Sequence, residues 1–246
     1  HDFYRNNLLK NSNYKENGLF VLALGKLGAR ELNFFSDLDL IFIFDEKKSQ
    51  LSIDSARKAY IKFAHRFIDI MEKPDSNGIA WKIDLRLRPD PSATSIAISK
   101  NAAILYYETM ARTWERAAFI RARVVAGNIN IGNNFLSIIS PFIWRKYLDY
   151  SVISELISLL AQLQKFKKHQ GRNIKTSEFG IREIEFFTQI QQLIAGGRYP
   201  EIRINNTIEA LKILSKHDWI SNQTSDELIT SYIFLRKIEH RLQMRN

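Results

Sequence analysis

Two aspartates one residue apart begin an apolar stretch of the chain. Asp37 and Asp39 stand at the start of the run Leu38 to Phe44, whose other residues are apolar. The length and aromatic content of this run predict a buried strand, and side chains two positions apart in a strand point to the same face. We therefore expect two carboxylates a few ångström apart at one end of the strand, where charges of like sign need a cation.

Three more segments have clear patterns. Residues 19–24 form a short apolar run, which predicts another buried strand. Residues 54–72 carry apolar side chains at helical spacing, and residues 79–87 alternate apolar and polar side chains as a strand does. In this third strand Asp84 and Arg86 share one face, so Asp84 is placed to supply a third carboxylate.

Helical spacing dominates the rest of the chain. Apolar residues recur with a period near 3.6 in segments near 100–125, 129–140, 143–168, 182–195, 206–216 and 225–243. Gly127 and Asn128 mark a seam between the two parts. We expect an α+β fold, with a small mixed sheet and helices over residues 1–128 and an all-helical domain over residues 129–246.

Composition excludes several classes of function. The chain of 246 residues has no cysteine, which rules out disulfide frameworks, cysteine zinc sites, iron–sulfur clusters and thiol catalysis. No apolar run approaches the roughly 20 residues of a membrane helix, and no signal peptide is visible, so we expect a cytoplasmic protein. The formal net charge of +10 favours anionic partners. The chain does not begin with Met and stops within a helical pattern, which indicates a fragment of a longer protein.

The carboxylates point to phosphate chemistry. Grouped carboxylates suit Mg²⁺, and two such ions roughly 3.5–4 Å apart can clamp the attacking and leaving oxygens of a phosphoryl displacement. The upstream turn Gly25–Gly28 lets backbone amides approach a phosphate, and the guanidinium groups of Arg86 and Arg88 suit phosphate oxygens. The spacing is not that of a Walker A loop, and no G-x-G-x-x-G precedes a helix, so P-loop and Rossmann folds are excluded.

Two clusters that mix charged and aromatic residues leave alternatives open. Arg112–Arg116, Arg121 and Arg123 lie on one predicted helical stretch, and Gly180–Phe186 begins another. Ion pairs between helices at the border of a core and a role facing the substrate explain both clusters equally well. The basic run Lys165–His169 could bind nucleic acid, although a solvated helix end is the better interpretation.

Six short motifs follow one another along nearly the whole chain. They are Gly25–Leu32, Ser36–Ile41, Asp84–Pro89, Trp114–Arg116, Arg121–Arg123 and Gly180–Phe186. In this order they resemble the bacterial bifunctional glutamine synthetase adenylyltransferase/adenylyl-removing enzymes. Those enzymes carry two nucleotidyltransferase units of the DNA polymerase β type, and this chain contains one. The segments Trp114–Arg116, Arg145–Ile153, Arg182–Glu183 and Leu235–Gln243 are most similar to the N-terminal, adenylyl-removing unit.

The resemblance implies a DNA polymerase β-like nucleotidyltransferase domain followed by a helical bundle. It implies an enzyme that removes AMP from a tyrosine of adenylylated glutamine synthetase by Mg²⁺-dependent phosphorolysis, giving ADP and active synthetase. Asp37, Asp39 and Asp84 are then expected to be catalytic and to hold Mg²⁺. The residues expected to bind nucleotide or phosphate are Gly25, Lys26, Gly28, Ser36, Arg86 and Arg88.

The same resemblance names the expected partners. They are glutamine synthetase as protein substrate, phosphate and an adenine nucleotide as small ligands, and the PII signal protein for the full-length enzyme. Neither a nucleic acid nor a membrane is expected. A nucleic-acid polymerising relative is permitted by the charge, but the motifs between Trp114 and Phe186 argue against it.

Two other functions stay open. The same metal site could serve the adenylyltransferase half, which uses ATP to modify glutamine synthetase and releases pyrophosphate. Alternatively, the chain is a non-catalytic docking module for glutamine synthetase or PII, in which the acids are vestigial.

Overall fold

The computed structural model describes residues 18–48, 52–76, 78–145, 154–155, 157–158 and 180–245. Its strands are β1 (Leu19–Ala23), β2 (Leu38–Phe44), β3 (Ile83–Asp84), β4 (Ala97–Ser99) and β5 (Arg123–Gly127). Its helices are α1 (Gly25–Gly28), α2 (Ile53–Glu72), α3 (Lys100–Thr109), α4 (Thr113–Phe119), α5 (Ile129–Ile143), α6 (Ile181–Ala195), α7 (Thr207–Lys216) and α8 (Asn222–Gln243). Short 3₁₀ turns lie at Glu46–Lys48 and Pro200–Ile202. The basic run Lys165–His169, most of the predicted helix over 143–168 and most of the motif Arg145–Ile153 lie outside the described residues.

The described residues form two compact units that alternate along the chain. The first unit comprises the residues up to Glu31, Ser36–Ala111 and Ala122–Phe142. The second comprises Leu32–Phe35, Arg112–Arg121 and the residues from Ile143 onward. The predicted division into residues 1–128 and 129–246 stays a prediction.

In the first unit, a mixed sheet is built around β1 and β2. The order is β3-β2-β1-β5, and β4 also pairs with β2. β1 runs antiparallel to both β2 and β5, whereas β2 runs parallel to β3 and β4. Because β1 covers one edge of β2, β3 and β4 share the other edge, β3 at the start of β2 and β4 at its end. The predicted strands over 19–24 and 38–44 are confirmed.

Helix α2 packs aromatic and small side chains against β2. Its first turn is capped by Ser52, whose hydroxyl accepts a hydrogen bond from the backbone N–H of Ser55 at 3.4 Å. Tyr60 lies with its ring 5.0 Å from that of Phe44, and Phe67 lies 5.7 Å from Phe42. Burial of these rings fixes α2 over the sheet, and the predicted helix over 54–72 is confirmed.

The prediction of a third strand over residues 79–87 is wrong in its length. Only Ile83 and Asp84 pair with β2, and Ile79 is exposed. After Asp84 the chain turns, because its carboxylate accepts a hydrogen bond from the backbone N–H of Arg86 at 2.8 Å. An aspartate that bonds the backbone two residues on stabilises a turn in place of an extended strand.

The prediction of one helix over residues 100–125 is also wrong. Helix α3 ends at Thr109, and α4 begins at Thr113, where Glu115 accepts a hydrogen bond from the backbone N–H of Arg112 at 2.7 Å. Arg123–Gly127 is then strand β5, which pairs antiparallel with β1. The adjacent β-branched residues Val124 and Val125 favour a strand once the edge of β1 is available.

In the second unit, helices α6, α7 and α8 bury one apolar cluster. Its fully buried members are Ile181 and Ile184 from α6, Leu211 from α7 and Tyr232 from α8. Each of these helices therefore has an apolar face turned to the other two, as the spacing predicted for 182–195, 206–216 and 225–243.

A buried polar network joins these helices to the segment after α4. The guanidinium of Arg121 donates to the Thr207 hydroxyl at 2.9 Å and lies 3.5 Å from the Glu185 carboxylate. Glu185 also accepts a hydrogen bond from the Tyr232 hydroxyl at 3.0 Å. Arg121 and Glu185 thus form one of the core-bordering ion pairs that were one of two explanations for the charged clusters.

The architecture has the predicted α+β class, with a small mixed sheet and helices, whereas the predicted helical bundle stays a prediction. Among the described residues, no helix is both long and apolar enough to cross a membrane.

The Arg121 network makes a first testable prediction about stability. Replacing Arg121 by Met leaves the Glu185 carboxylate buried without its cation, so we expect the free energy of unfolding to fall by about 3–5 kcal/mol. Arg57→Met is the matched control, because Arg57 pairs with Asp54 on the exposed surface of α2, and its effect should stay within about 0.5 kcal/mol. Urea denaturation followed by circular dichroism measures both, and equal losses would contradict a structural role for the buried pair.

Candidate active site

The three predicted acids gather at the start of β2. Asp39 and Asp84 are direct partners in the parallel pairing of β2 with β3. Neighbouring strands lie about 4.8 Å apart, and paired residues of parallel strands point to the same side of a sheet. Asp37 lies two residues before Asp39, just ahead of the strand. Asp84 is therefore in the neighbouring position that the sequence predicted, although by a strand of only two residues.

A glycine lets the turn after β1 lie directly against Asp39. Gly25 has a φ of +52°, and a Cβ placed there would lie 2.0 Å from Oδ2 of Asp39. Next to it, the backbone N–H of Leu24 donates to the carbonyl of Asp39 at 2.9 Å. Any side chain at residue 25 would collide with the carboxylate, so the close approach requires glycine.

An arginine that the site prediction did not include braces this turn. Arg123 of β5 donates to the carbonyls of Leu27 at 2.7 Å and Gly28 at 3.2 Å, at the end of the one-turn helix α1, where carbonyls lack intrahelical partners. Burial, and then the charge of Arg30, lower the pKa of Arg123. The signal in the sequence is the Arg121–Arg123 motif, but spacing alone cannot show that Arg123 reaches α1.

Two predicted phosphate ligands in this region are buried. Lys26 is 7% exposed within α1, and Ser36 is also 7% exposed, directly before Asp37. The Ser36 hydroxyl has no hydrogen-bond partner among the residues that the structure describes. A buried hydroxyl without a partner is unfavourable, so a ligand oxygen at this position would satisfy it.

Arg86 donates hydrogen bonds to both oxygens of the Asp84 carboxylate. Its Nε lies 3.1 Å from Oδ1 and 2.9 Å from Oδ2, and its Nη2 lies 2.5 Å from Oδ2. The guanidinium is 83% exposed, whereas the Asp84 side chain is only 11% exposed. Arg86 therefore lies on the solvent-exposed side of the acidic cluster, which consists of Asp37, Asp39 and Asp84.

The titration of the two groups reflects this contact. Burial raises the pKa of Asp84, but the hydrogen bonds and charge of Arg86, together with the charge of Lys82, outweigh it, and the net effect is a pKa below the ordinary value. The pKa of Arg86 is raised by its hydrogen bonds with Asp84 and by the charges of Asp84, Asp37 and Asp39. All three carboxylates thus act on the same guanidinium.

Arg88 holds the loop that follows Asp84. Its two terminal nitrogens donate to the carbonyls of Leu85 at 2.9 Å and Pro91 at 2.8 Å. Its Nε is buried and has no partner in the described part of the chain, and burial lowers the pKa of the guanidinium. Arg88, predicted to bind phosphate, has its terminal nitrogens engaged by its own loop.

The donor set has the chemistry that Mg²⁺ prefers, because all three predicted ligands are carboxylates. The carboxylate oxygens of Asp37 and Asp39 are of the kind that such an ion binds. Both oxygens of Asp84, however, are bonded by Arg86. The described residues contain no group of three or more His, Asp or Glu side chains that could hold a metal ion. An ion that bound Oδ2 of Asp84 would compete there with the hydrogen bonds from Arg86.

Comparison with known proteins finds two family matches. The family described as glutamate-ammonia ligase adenylyltransferase matches residues 5–138, which include all of the predicted site. The family described as GlnD PII-uridylyltransferase matches residues 154–246.

Similar curated proteins carry one common name, bifunctional glutamine synthetase adenylyltransferase/adenylyl-removing enzyme. A relative from a Bradyrhizobium species is 46% identical over 233 residues, 92% of this chain and 24% of its own length. Relatives from Rhizobium meliloti and Xanthobacter autotrophicus are 46% and 45% identical over the same shares of the two chains. The chain therefore spans about a quarter of the length of the curated relatives that it matches.

The contact between Gly25 and Asp39 generates a second prediction. Gly25→Ala should lower stability by about 1–3 kcal/mol, because the new methyl group meets the carboxylate in a backbone conformation that alanine rarely adopts. Gly78→Ala is the matched control, since Gly78 also has a positive φ, +101°, but an added Cβ there meets nothing within 4 Å.

A double-mutant cycle separates the collision from the backbone strain. In an Asp39→Ala background the extra loss caused by Gly25→Ala over Gly78→Ala should shrink, because the colliding oxygens are gone. Thermal unfolding of the parent, the three single variants and the two double variants measures this, and an unchanged difference would show that Gly25 does not lie against Asp39.

Proposed function

The chain belongs to the glutamate-ammonia ligase adenylyltransferase family, and we propose that it is the unit that removes AMP from adenylylated glutamine synthetase. The observation that carries the proposal is the pairing of Asp39 with Asp84, which places these two carboxylates in neighbouring positions, with Asp37 two residues before Asp39 and Gly25 against Asp39. Grouped carboxylates next to a turn that can receive phosphate are suited to transfer of a nucleotidyl group.

The proposed reaction is a phosphorolysis. An oxygen of inorganic phosphate attacks the phosphorus of the AMP group, and the bond from that phosphorus to the tyrosine oxygen breaks. The products are ADP and a tyrosine phenolate, which takes up a proton. Phosphate already carries negative charge at neutral pH, so the attack does not require a protein base.

Each site residue has a part in this reaction. Asp37 and Asp39, joined by Asp84, would hold Mg²⁺, which supplies neutralisation of the charge on the transferred group. The Ser36 hydroxyl, buried and unpartnered among the described residues, donates to a phosphate oxygen. Lys26 supplies positive charge beside the Gly25–Gly28 turn.

The two arginines differ in how they act. Arg86 is exposed at the mouth of the cluster and can turn its guanidinium to a phosphate oxygen. Arg88 acts through the loop, because its terminal nitrogens hold the carbonyls of Leu85 and Pro91. Arg88 is therefore a positioning residue in this proposal.

The direction of transfer rests on motif similarity. Trp114–Arg116 and Arg182–Glu183 are most similar to the adenylyl-removing unit, as are the last nine residues of the predicted helix, 235–243. The adenylyltransferase reaction is the second candidate, because the relatives' common name contains both activities and the chain spans only 24% of their length.

The match to the PII-uridylyltransferase family supports a partner in the whole protein. That family is named for an enzyme that acts on PII, and the matched residues, 154–246, contain α6, α7 and α8. We propose that the full-length enzyme responds to PII and that this helical segment takes part in the response.

The third prediction tests the function. The chain is incubated with adenylylated glutamine synthetase and Mg²⁺, and ADP release is measured by chromatography with and without phosphate. We expect ADP to depend on phosphate, and Asp39→Asn to reduce its release about a hundredfold or more, since a neutral amide cannot hold the cation. Asp54→Asn, on the exposed surface of α2, removes the same charge and should leave the rate unchanged.

Other outcomes would each overturn part of the proposal. Transfer of AMP from ATP to unmodified synthetase, without phosphate-dependent ADP, would identify the adenylyltransferase half. A folded chain that is silent in both assays but binds glutamine synthetase would identify a docking module. Full activity of Asp39→Asn would remove the carboxylates from the mechanism.

A further inference from the structure

The Asp84 carboxylate is held in two separable ways. The backbone N–H of Arg86 donates to Oδ1 at 2.8 Å, and the guanidinium of the same residue bonds both oxygens, most closely Oδ2. A rotation of the Arg86 side chain would remove the guanidinium and leave the backbone contact intact. Asp84 would then keep its orientation while Oδ2 became available to another cation.

The environments of the two partners show which one can move. Asp84 is 11% exposed and anchored by the pairing of β3 with β2, whereas the Arg86 side chain is 83% exposed. An ion pair with so exposed a partner is weak, because water solvates the guanidinium wherever it turns. Arg86 can therefore leave Asp84 without disturbing the strand pairing.

The guanidinium also lies in the field of more than one acid. Asp37 and Asp39 act on Arg86 along with Asp84, and the charge of Lys82 also acts on Asp84. A divalent cation neutralises more of the carboxylates' charge than a guanidinium does and attracts each carboxylate more strongly at the same distance. Oδ2 of Asp84 already accepts hydrogen bonds from Nε and Nη2 of Arg86, so an ion that binds this oxygen competes with them.

We propose that Arg86 is the internal counter-cation of the acidic site and competes with the divalent metal ion for Asp84. The inference rests on the proposed function, since it assumes that the three acids bind that ion. When the ion takes Asp84, the released guanidinium faces outward from the site, where an anionic substrate arrives. The same side chain thus changes from a partner of Asp84 to a partner of phosphate.

The fourth prediction concerns metal affinity without any reaction. Mn²⁺ binding to the full chain is titrated in the absence of nucleotide by the electron paramagnetic resonance signal of the free ion. Arg86→Gln removes the competing charge and should tighten Mn²⁺ binding about twofold to fivefold, the factor that corresponds to an exposed ion pair. Arg86→Lys keeps the positive charge but loses the guanidinium that bonds both carboxylate oxygens. The Mn²⁺ affinity of this variant should therefore lie between those of the parent chain and Arg86→Gln.

Two controls define the result. Arg57→Gln removes one positive charge from the exposed surface of α2, where Arg57 pairs with Asp54, and should leave Mn²⁺ affinity unchanged. Asp39→Asn should abolish the binding. Circular dichroism of each variant checks that the fold is retained.

The outcomes separate this inference from the function on which it rests. If Asp39→Asn abolishes Mn²⁺ binding but Arg86→Gln leaves it unchanged or weakens it, competition by Arg86 is overturned and the metal site stands. If the parent chain binds no Mn²⁺, or if Asp39→Asn has no effect, the metal site itself is overturned and Arg86 has no role toward it. Tightening by Arg86→Gln with no change in Arg57→Gln supports the proposal.

Discussion

The register between β2 and β3 is the constraint on which the site depends. Side chains alternate between the two faces of a sheet, so a slip by one residue would place Asp84 beside Leu38 or Leu40. The register is held by the rest of β2, whose residues from Leu40 to Phe44 are almost completely buried. The buried apolar residues of β2 thus fix the pairing at the start of the strand, where Asp39 and Asp84 meet.

The turn after β1 depends on the same strand. Gly25 lies against the Asp39 carboxylate, Leu24 donates to the Asp39 carbonyl, and Arg123 braces α1 from the far side of β1. Three strands therefore converge on a segment of four residues. Such a segment has few internal hydrogen bonds of its own, so its conformation comes from tertiary contacts rather than from helix propensity.

The local sequence pattern was sufficient to predict secondary structure where the spacing of apolar residues matches the burial seen in the structure. β1, β2 and α2 were predicted because their apolar residues recur as strands and helices require, and Asp37 and Asp39 follow from their position in β2. In the segment that was wrongly predicted to be helical, the structure is set by pairing with a strand that is distant along the chain. The predicted helical segment near 100–125 includes Arg123–Val125, but the open edge of β1 makes Arg123–Gly127 a strand.

The site likewise contains features that the sequence predicted and features that it could not predict. The sequence placed Asp84 beside Asp39, yet it could not show that the Asp84 carboxylate bonds the backbone and side chain of Arg86 and so ends the strand early. Nor could it show that the terminal nitrogens of Arg88 point to carbonyls of its own loop. Both contacts join residues two to three positions apart in irregular backbone, for which periodicity carries no signal.

The net charge of the chain and the charge of the proposed site have opposite signs. The formal net charge of +10 attracts anions from a distance, yet the proposed site presents three carboxylates to them. At contact distance the repulsion between these carboxylates and a phosphate exceeds the long-range attraction, which salt screens within about 10 Å. An anionic substrate can therefore be held only if positive charge stands between it and the acids. In the structure, the exposed guanidinium of Arg86 bonds Asp84 and is acted on by the charges of Asp37 and Asp39, so it supplies positive charge at these acids.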